Sequence, residues 1–325
     1  MGRRAQPLRH LPPRRRLRRR RSEFTVNVIR IVPDPRRLIE HACRLGESPL
    51  WDDRRDRLFF VDISAGEIHH VSAEGSSHRV WPAPVPDRPT ALGLTTAGRL
   101  VVSLTRSVDL FDPDTGLWET LAEIDVGPST VRLNDGKVGP DGAFWVGSMD
   151  ERPERPAIAA LWRVSADGTV EKKLEGLRVA NGIAWDGAGT TMYLADSRGP
   201  WIDRFAFDPA TGTLGERTRL ATLDEDLGRP DGGCCDVIGH YWSAGVSSGH
   251  LNRFAPDGRL LEHWDLPVDH PTMPCFGGLG LRTLFVTSHA RNAEGRPSLA
   301  PAGSIIAFDA QIAGLPPFRM PDPRG

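Results

Sequence analysis

The stretch from Val131 to Asp150, VRLNDGKVGPDGAFWVGSMD, gathers Arg132, Asn134, Asp135 and Lys137 around one glycine, Gly136. Elsewhere a lone acid or amide stands beside a glycine in a similar setting: Glu47 after Gly46, Asn181 before Gly182 and Asp231 before Gly232. Carboxylate and amide oxygens are the donors that hard divalent cations take. No histidine shares these places, which argues against zinc as the first choice. Taken singly, an Asp or Asn next to Gly is an ordinary turn residue; Glu47, within ESPLW, is less turn-like. The chemistry depends on whether distant segments bring these oxygens to one point.

Six segments align on a glycine: Gly46, Gly93, Gly136, Gly182, Gly232 and Gly277, spaced 43 to 50 residues apart. After each comes a short β-prone run, a turn, and a strongly β-prone run: LFFVDI, RLVVSL, AFWVGS, TMYLAD, HYWSAG, TLFVTS. A third such run follows in every copy, and most copies add a fourth, polar one. Four strands per unit at this period is the signature of a propeller blade. The expected fold is therefore all-β, a six-bladed β-propeller with a central metal site; two β-sandwich domains are the rival. The sixth copy lacks a clear fourth strand and the run near Arg37–His41 is spare, so an N-terminal strand is expected to complete blade six. No helix longer than about one turn is needed. Innermost strands line the channel of a propeller, so residues at one phase of the repeat form a ring around its axis. That phase holds Glu47, Leu92, Asn134 with Asp135, Asn181, Asp231 and Phe276, with a one-residue offset in blade one.

The chain has 325 residues, 34 Gly and 28 Pro, and a net charge of −1 that is unevenly spread. Ten arginines and no acids fall in residues 1–21, leaving the remainder at −11. Residues 1–35 are expected to be a basic, disordered extension, and 36–325 the propeller. The arginines lack a following apolar segment of the ~7–15 residues a secretory signal needs. No run of ~18 apolar residues occurs, so no membrane span is expected. The acidic body opposes a nucleic-acid role. Cys43, Cys234, Cys235 and Cys275 include no CxxC pair and are expected to be reduced, in a cytoplasmic protein.

The segments LGESPLWDDRRDRLFFVDI, RLNDGKVGPDGAFWVGSM, VANGIAWD, RPDGGCCD and PTMPCFGG resemble the signature segments of the gluconolactonase/regucalcin (senescence marker protein) family. The likeness covers residues 45 to about 310, in order. It implies a six-bladed propeller with one divalent cation in the channel and hydrolysis of a sugar-acid lactone. Carried over by motif, the metal ligands are Glu47, Asn181 and Asp231, and Arg132 and Asn134 contact substrate. The family often places an acid after the GxM segment to hold sugar hydroxyls. Direct count puts Arg152 there, with Glu151 one residue before it as the expected substrate contact. The Ser or Thr often found before the blade-four asparagine is Ala180 here. The cation is expected to be Ca2+ first, with Mn2+, Mg2+, Fe2+ or Zn2+ as alternatives, and the protein a monomer or weak dimer.

A lactone is a cyclic ester. Its hydrolysis needs a polarised carbonyl, an activated water and stabilisation of negative charge. Asp231 is the expected catalytic base and Arg132 the expected charge stabiliser. Lys137 is expected off the channel, as a solvated or turn-stabilising lysine. Gly245-Val-Ser247-Ser-Gly249 matches the GxSxG pattern, but a nucleophile elbow needs a helix after the turn, and HLNRFA reads as a strand. His289 and most of the tryptophans are expected in structural roles. Two other functions fit the same oxygens: a non-catalytic calcium- or sugar-binding propeller, and a metal-dependent esterase or organophosphate hydrolase.

Overall fold

A computed structural model describes residues 29–290 and 302–323. Its regular structure is short strands, with a single 3-10 turn, Leu279–Leu281, as the only helical element among the described residues. The strands fall into six sheets, each with four antiparallel strands running outward from an inner one. The inner strands are Gly46–Asp52, Ala91–Thr95, Val131–Val138, Ala180–Trp185, Pro230–Cys235 and Pro271–Gly277. Each packs on the next and the sixth packs on the first, so the ring closes as a six-bladed β-propeller. Closure comes from Arg36–Arg37, which pairs antiparallel with Ile306–Asp309 as the outer strand of blade six.

Two added strands lie outside the four-strand repeat. Ile29–Ile31 runs parallel to the outer strand of blade five, Leu260–Asp265. A strand thus stands at Ile29–Ile31, ahead of the ring-closing pair. The reason is apolar: Val32 is 3% exposed and packs with Trp264 and Phe308. The arginine run lies outside the described residues. At the other end, Arg319–Met320 pairs in parallel with the inner strand of blade two.

Each blade-to-blade interface holds its own apolar cluster. Blades one and two share Phe59, Val61, Leu94 and Phe111; blades three and four share Trp145, Leu161, Trp185 and Phe207. The six–one interface is packed the same way, by Trp51, Phe60, Phe285 and Ile305. Strand alternation causes this: successive side chains face the two neighbouring blades in turn, so each blade is buried on both faces. Full burial of one such aromatic contributes about 1.5–3 kcal/mol, which sets blades at fixed spacing around the axis.

The C-terminal segment straps across one end of the channel. Gly314 bridges to Asp236 of blade five, its N–H donates to Leu281 O of blade six, and Met320 reaches blade two on the opposite side. Leu315 and Phe318 floor a cavity of about 90 Å³ lined by Trp51, Lys137, Trp185 and Cys275. The GxSxG stretch is a turn between two strands, Tyr241–Gly245 and His250–Phe254, so no nucleophile elbow forms.

The strap makes a stability prediction. Met320 is fully buried among blades two and three, whereas Leu279 is 98% exposed. Met320→Ala should cost about 2–5 kcal/mol in urea unfolding. Leu279→Ala should stay within about 0.5 kcal/mol.

Candidate metal centre in the channel

Five of the six inner strands carry a β-bulge at the same height; blade two has none. The register slips between Glu47 and Leu50, Leu133 and Gly136, Asn181 and Ala184, Pro230 and Gly233, and Pro271 and Pro274. A bulge adds one residue to a strand and re-aims its side chains. Glu47 and Asn181 are the last paired residues before their bulges; Asn134 and Asp231 are the first residues inside theirs. This explains the offset in blade one. The residue after Glu47 and the residue after Asn181 both take positive φ, +47° at Ser48 and +64° at Gly182, so Ser48 fills the place that a glycine fills in blade four. Ser48 earns that strained conformation through its Oγ, which accepts the Leu92 N–H of blade two at 2.8 Å.

Two carboxylates fix how these inner strands enter the channel. Asp62 accepts the N–H groups of Arg44 (2.7 Å) and Leu45 (3.1 Å), just before Glu47. Asp196 does the same for Arg178 (2.8 Å) and Val179 (3.3 Å), just before Asn181. Thr272 adds a third brace by donating to Gly46 O at 2.5 Å.

A hydrogen-bond chain crosses from blade three to blade four. Arg132 donates to Leu133 O (2.8 Å) and Asn134 Oδ1 (2.9 Å). Asn134 Nδ2 donates to Asn181 Oδ1 (2.9 Å) and Ala180 O (3.0 Å), and Asn181 Nδ2 donates to Ser197 Oγ (2.7 Å). Ser197 thus braces Asn181, and Ala180 leaves room for Gly147, where a Cβ would lie 2.4 Å from that of Ala180. On the rim, Arg132 Nε donates to Glu151 Oε1 at 3.1 Å, and Arg88 holds the same carboxylate at 3.0 Å. Arg152 turns away to Asp150. The acid beside Arg132 is therefore Glu151. Lys137 does not lie off the channel: it is two residues past Asp135 on the same face of the strand, and its Nζ donates to Gly233 O at 2.8 Å. Arg88 and Ser197 carry no motif that could have marked them in the sequence.

Glu47, Asp135 and Asp231 share one electrostatic neighbourhood. Burial pushes the Glu47 carboxyl well up, the charges of Asp231 and Asp135 add to this, and the Ser48 N–H opposes it. Burial and then Asp135 raise Asp231 to about 8, against the pull of Arg229 and Arg132. Burial also raises Asp135, opposed by Lys137 and by backbone N–H groups, including Ile183 N–H at 3.0 Å. Asp135 Oδ1 is buried with no hydrogen-bond partner among the described residues. Crowded carboxylates and an orphaned oxygen are what a site built for a hard cation presents without it, so the donor set fits a divalent ion. The groups of three His, Cys, Asp or Glu ligand atoms within mutual reach all lie away from the channel, and none contains two cysteines, among the described residues.

Comparison with known proteins bears on this site. The family profile described as SMP-30/Gluconolactonase/LRE-like region matches residues 45–290. A 6-deoxy-6-sulfogluconolactonase of Pseudomonas putida is 34% identical over 280 residues, covering 85% of this chain and 95% of that protein. A pentonolactonase of Haloferax volcanii is 30% identical over 291 residues, covering 87% and 97%. Among solved structures, a calcium-binding regucalcin from Agrobacterium tumefaciens superposes with a TM-score of 0.78 at 25% identity, covering 88% of this chain and 97% of that one.

The raised Asp231 carboxyl gives a pH signature. It titrates near 8 in the folded chain, against ~3.9 unfolded. Between those values the folded chain keeps a proton that the unfolded chain has lost, so this group's contribution to stability declines as pH rises from about 4 to about 8. Chelator-treated wild type should therefore lose more Tm between about pH 5 and pH 8 than Asp231→Asn does. Added Ca2+ or Mn2+ should raise the wild-type Tm more at the higher pH. Equal pH slopes in the two proteins would contradict this electrostatic account.

Proposed function

The chain belongs to the SMP-30/gluconolactonase/LRE-like family, and from that premise we propose that it hydrolyses a sugar-acid lactone to the free acid with one divalent cation in the channel. The observation that carries this reading is the Arg132–Asn134–Asn181 hydrogen-bond chain beside the carboxylates of Glu47 and Asp231. Two carboxylates and an amide oxygen suit calcium first among hard ions.

Glu47, Asn181 and Asp231 would hold the cation. When bound, it supplies Lewis acidity toward a carbonyl oxygen and favours ionised carboxylates around it. Arg132 is 6% exposed and anchored by Asn134 and Glu151, so its guanidinium is held in one orientation. A fixed cationic fork at the channel rim steers the lactone carbonyl and stabilises negative charge as water adds to it. Asp231 accepts the proton of the attacking water, and the proton passes to the ring oxygen as the acyl C–O bond breaks. Glu151, half-exposed and accepting from Arg132 and Arg88, is placed to take hydrogen bonds from sugar hydroxyls. The floor formed by Leu315 and Phe318 leaves the Glu47 end as the route for substrate.

A second reading, a calcium-binding propeller without catalysis, draws on the calcium-binding regucalcin above and uses the same ligands. Titration of released acid from a panel of aldonolactones, crossed with a panel of divalent cations, separates the two. Under the lactonase reading one or more lactones are hydrolysed in a metal-dependent way. Asp231→Ala then lowers kcat by about 10²–10⁴ or more with the circular dichroism unchanged. Arg132→Met lowers kcat by roughly 10²–10³. Absence of acid release from every lactone with every cation would leave only the binding reading.

A further inference from the structure

We propose that blade one carries a second, nitrogen-rich metal site, formed by His41, Glu67 and His69, that takes a borderline divalent ion of the Zn2+ class. It is separate from the channel site and does not depend on the lactonase reading. Glu67 and His69 are two residues apart on the third strand of blade one, Glu67–Ser72, so both project from one face. His41 comes from the segment that follows the ring-closing strand. One ligand atom from each of the three lies within 4.8 Å of the other two.

The hydrogen bonding at this cluster is incomplete in a way that a cation would complete. His69 is fully buried, and its Nε2 stands 3.3 Å from Glu67 Oε2 without a hydrogen-bond partner among the described residues. Its other nitrogen, Nδ1, lies 3.0 Å from His78 Nε2. In the tautomer that donates Nδ1–H to His78, the His69 Nε2 turns its lone pair toward the Glu67 carboxylate, an arrangement that a cation between the two would complete. His41 Nε2 is also buried without a hydrogen-bond partner among the described residues. His78 then plays the outer role that fixes the tautomer of a ligating histidine. Phe60 stacks on His69 at 4.8 Å and holds the ring plane.

A neighbouring trio, His41, Cys43 and Asp62, is within the same reach. Asp62 is already occupied by the N–H groups of Arg44, Leu45 and Ala65, and burial keeps the Cys43 thiol protonated. Two imidazoles and one carboxylate, with a fourth position open, match the ligand count and type of tetrahedral zinc and not of calcium. His41 belongs to the segment arriving from blade six, while Glu67 and His69 belong to blade one. An ion held by all three ties the closure of the ring.

The test uses the full chain without a polyhistidine tag, stripped with chelator and titrated with Co2+. Four-coordinate Co2+ at a nitrogen-containing site absorbs strongly in the visible, whereas an all-oxygen channel site absorbs weakly. The expected result is a strong band that saturates near one equivalent, is displaced by Zn2+, and is lost in His41→Gln and in Glu67→Gln. Both residues are partly exposed, so these variants should fold and keep channel-site activity. Zn2+ should raise the wild-type Tm but not that of His41→Gln. His78→Ala should weaken Co2+ binding roughly 10–100-fold. No strong band in wild type, a band unchanged in His41→Gln, or undiminished affinity in His78→Ala would overturn the assignment.

Discussion

Three buried carboxylates, Glu47, Asp135 and Asp231, lie within electrostatic reach of one another on the inner strands of a ring whose blade interfaces are apolar. Each is pushed toward its protonated form by burial, and Glu47 and Asp231 also by neighbouring acids. Such crowding is unfavourable for a fold taken alone and is tolerated only where the surrounding structure over-determines it. Here the constraint comes from several directions. Apolar clusters fix the blade spacing, Asp62 and Asp196 clamp the strand entries, and bulges turn the side chains inward. The rigidity of the ring is what keeps like charges from drifting apart.

The propeller was legible because its period is long, regular and written in turn residues and β-prone runs. Each blade repeats the same local physics, so one reading serves six times. The oxygens at the axis were legible in part, because bulged inner strands share a height that shows in the sequence as a recurring acid or amide beside glycine. Where they diverge, the cause is local. Ser48 takes a conformation that glycine takes in blade four, so aligning glycines displaced Glu47 by one residue. Lys137 looked like a turn lysine because a bulge is invisible to a period-two count. The pairing of Ile29–Ile31 and the strand Arg319–Met320 are not legible in the sequence, since both are parallel additions to finished blades, with no hairpin to announce them. Arg88 acts through a contact with Glu151 in the next blade, and Ser197 through a side-chain bond to Asn181 just past the adjacent strand, neither of which a local pattern encodes.

The candidate ligand atoms divide by position. Oxygen donors occupy the axis, where six strands can supply carboxylates and amides around a hard ion. Nitrogen donors occur in a cluster at the closure of blade one, where strand pairing and ring stacking hold imidazoles in place. The C-terminal strap separates the ends of the channel: an apolar floor on one side, and on the other a rim bearing Arg132, Glu151 and Arg88. A hydroxyl-rich ligand suits the rim and not the floor, and so the polar end is where a sugar derivative would enter.

The most direct measurement is a crystal of this protein soaked in Mn2+, with diffraction collected for its anomalous signal. The account predicts a peak on the channel axis with Glu47, Asn181 and Asp231 oxygens in its coordination sphere. A fully soaked crystal with no peak there, or with those three side chains turned away from a common centre, would contradict it.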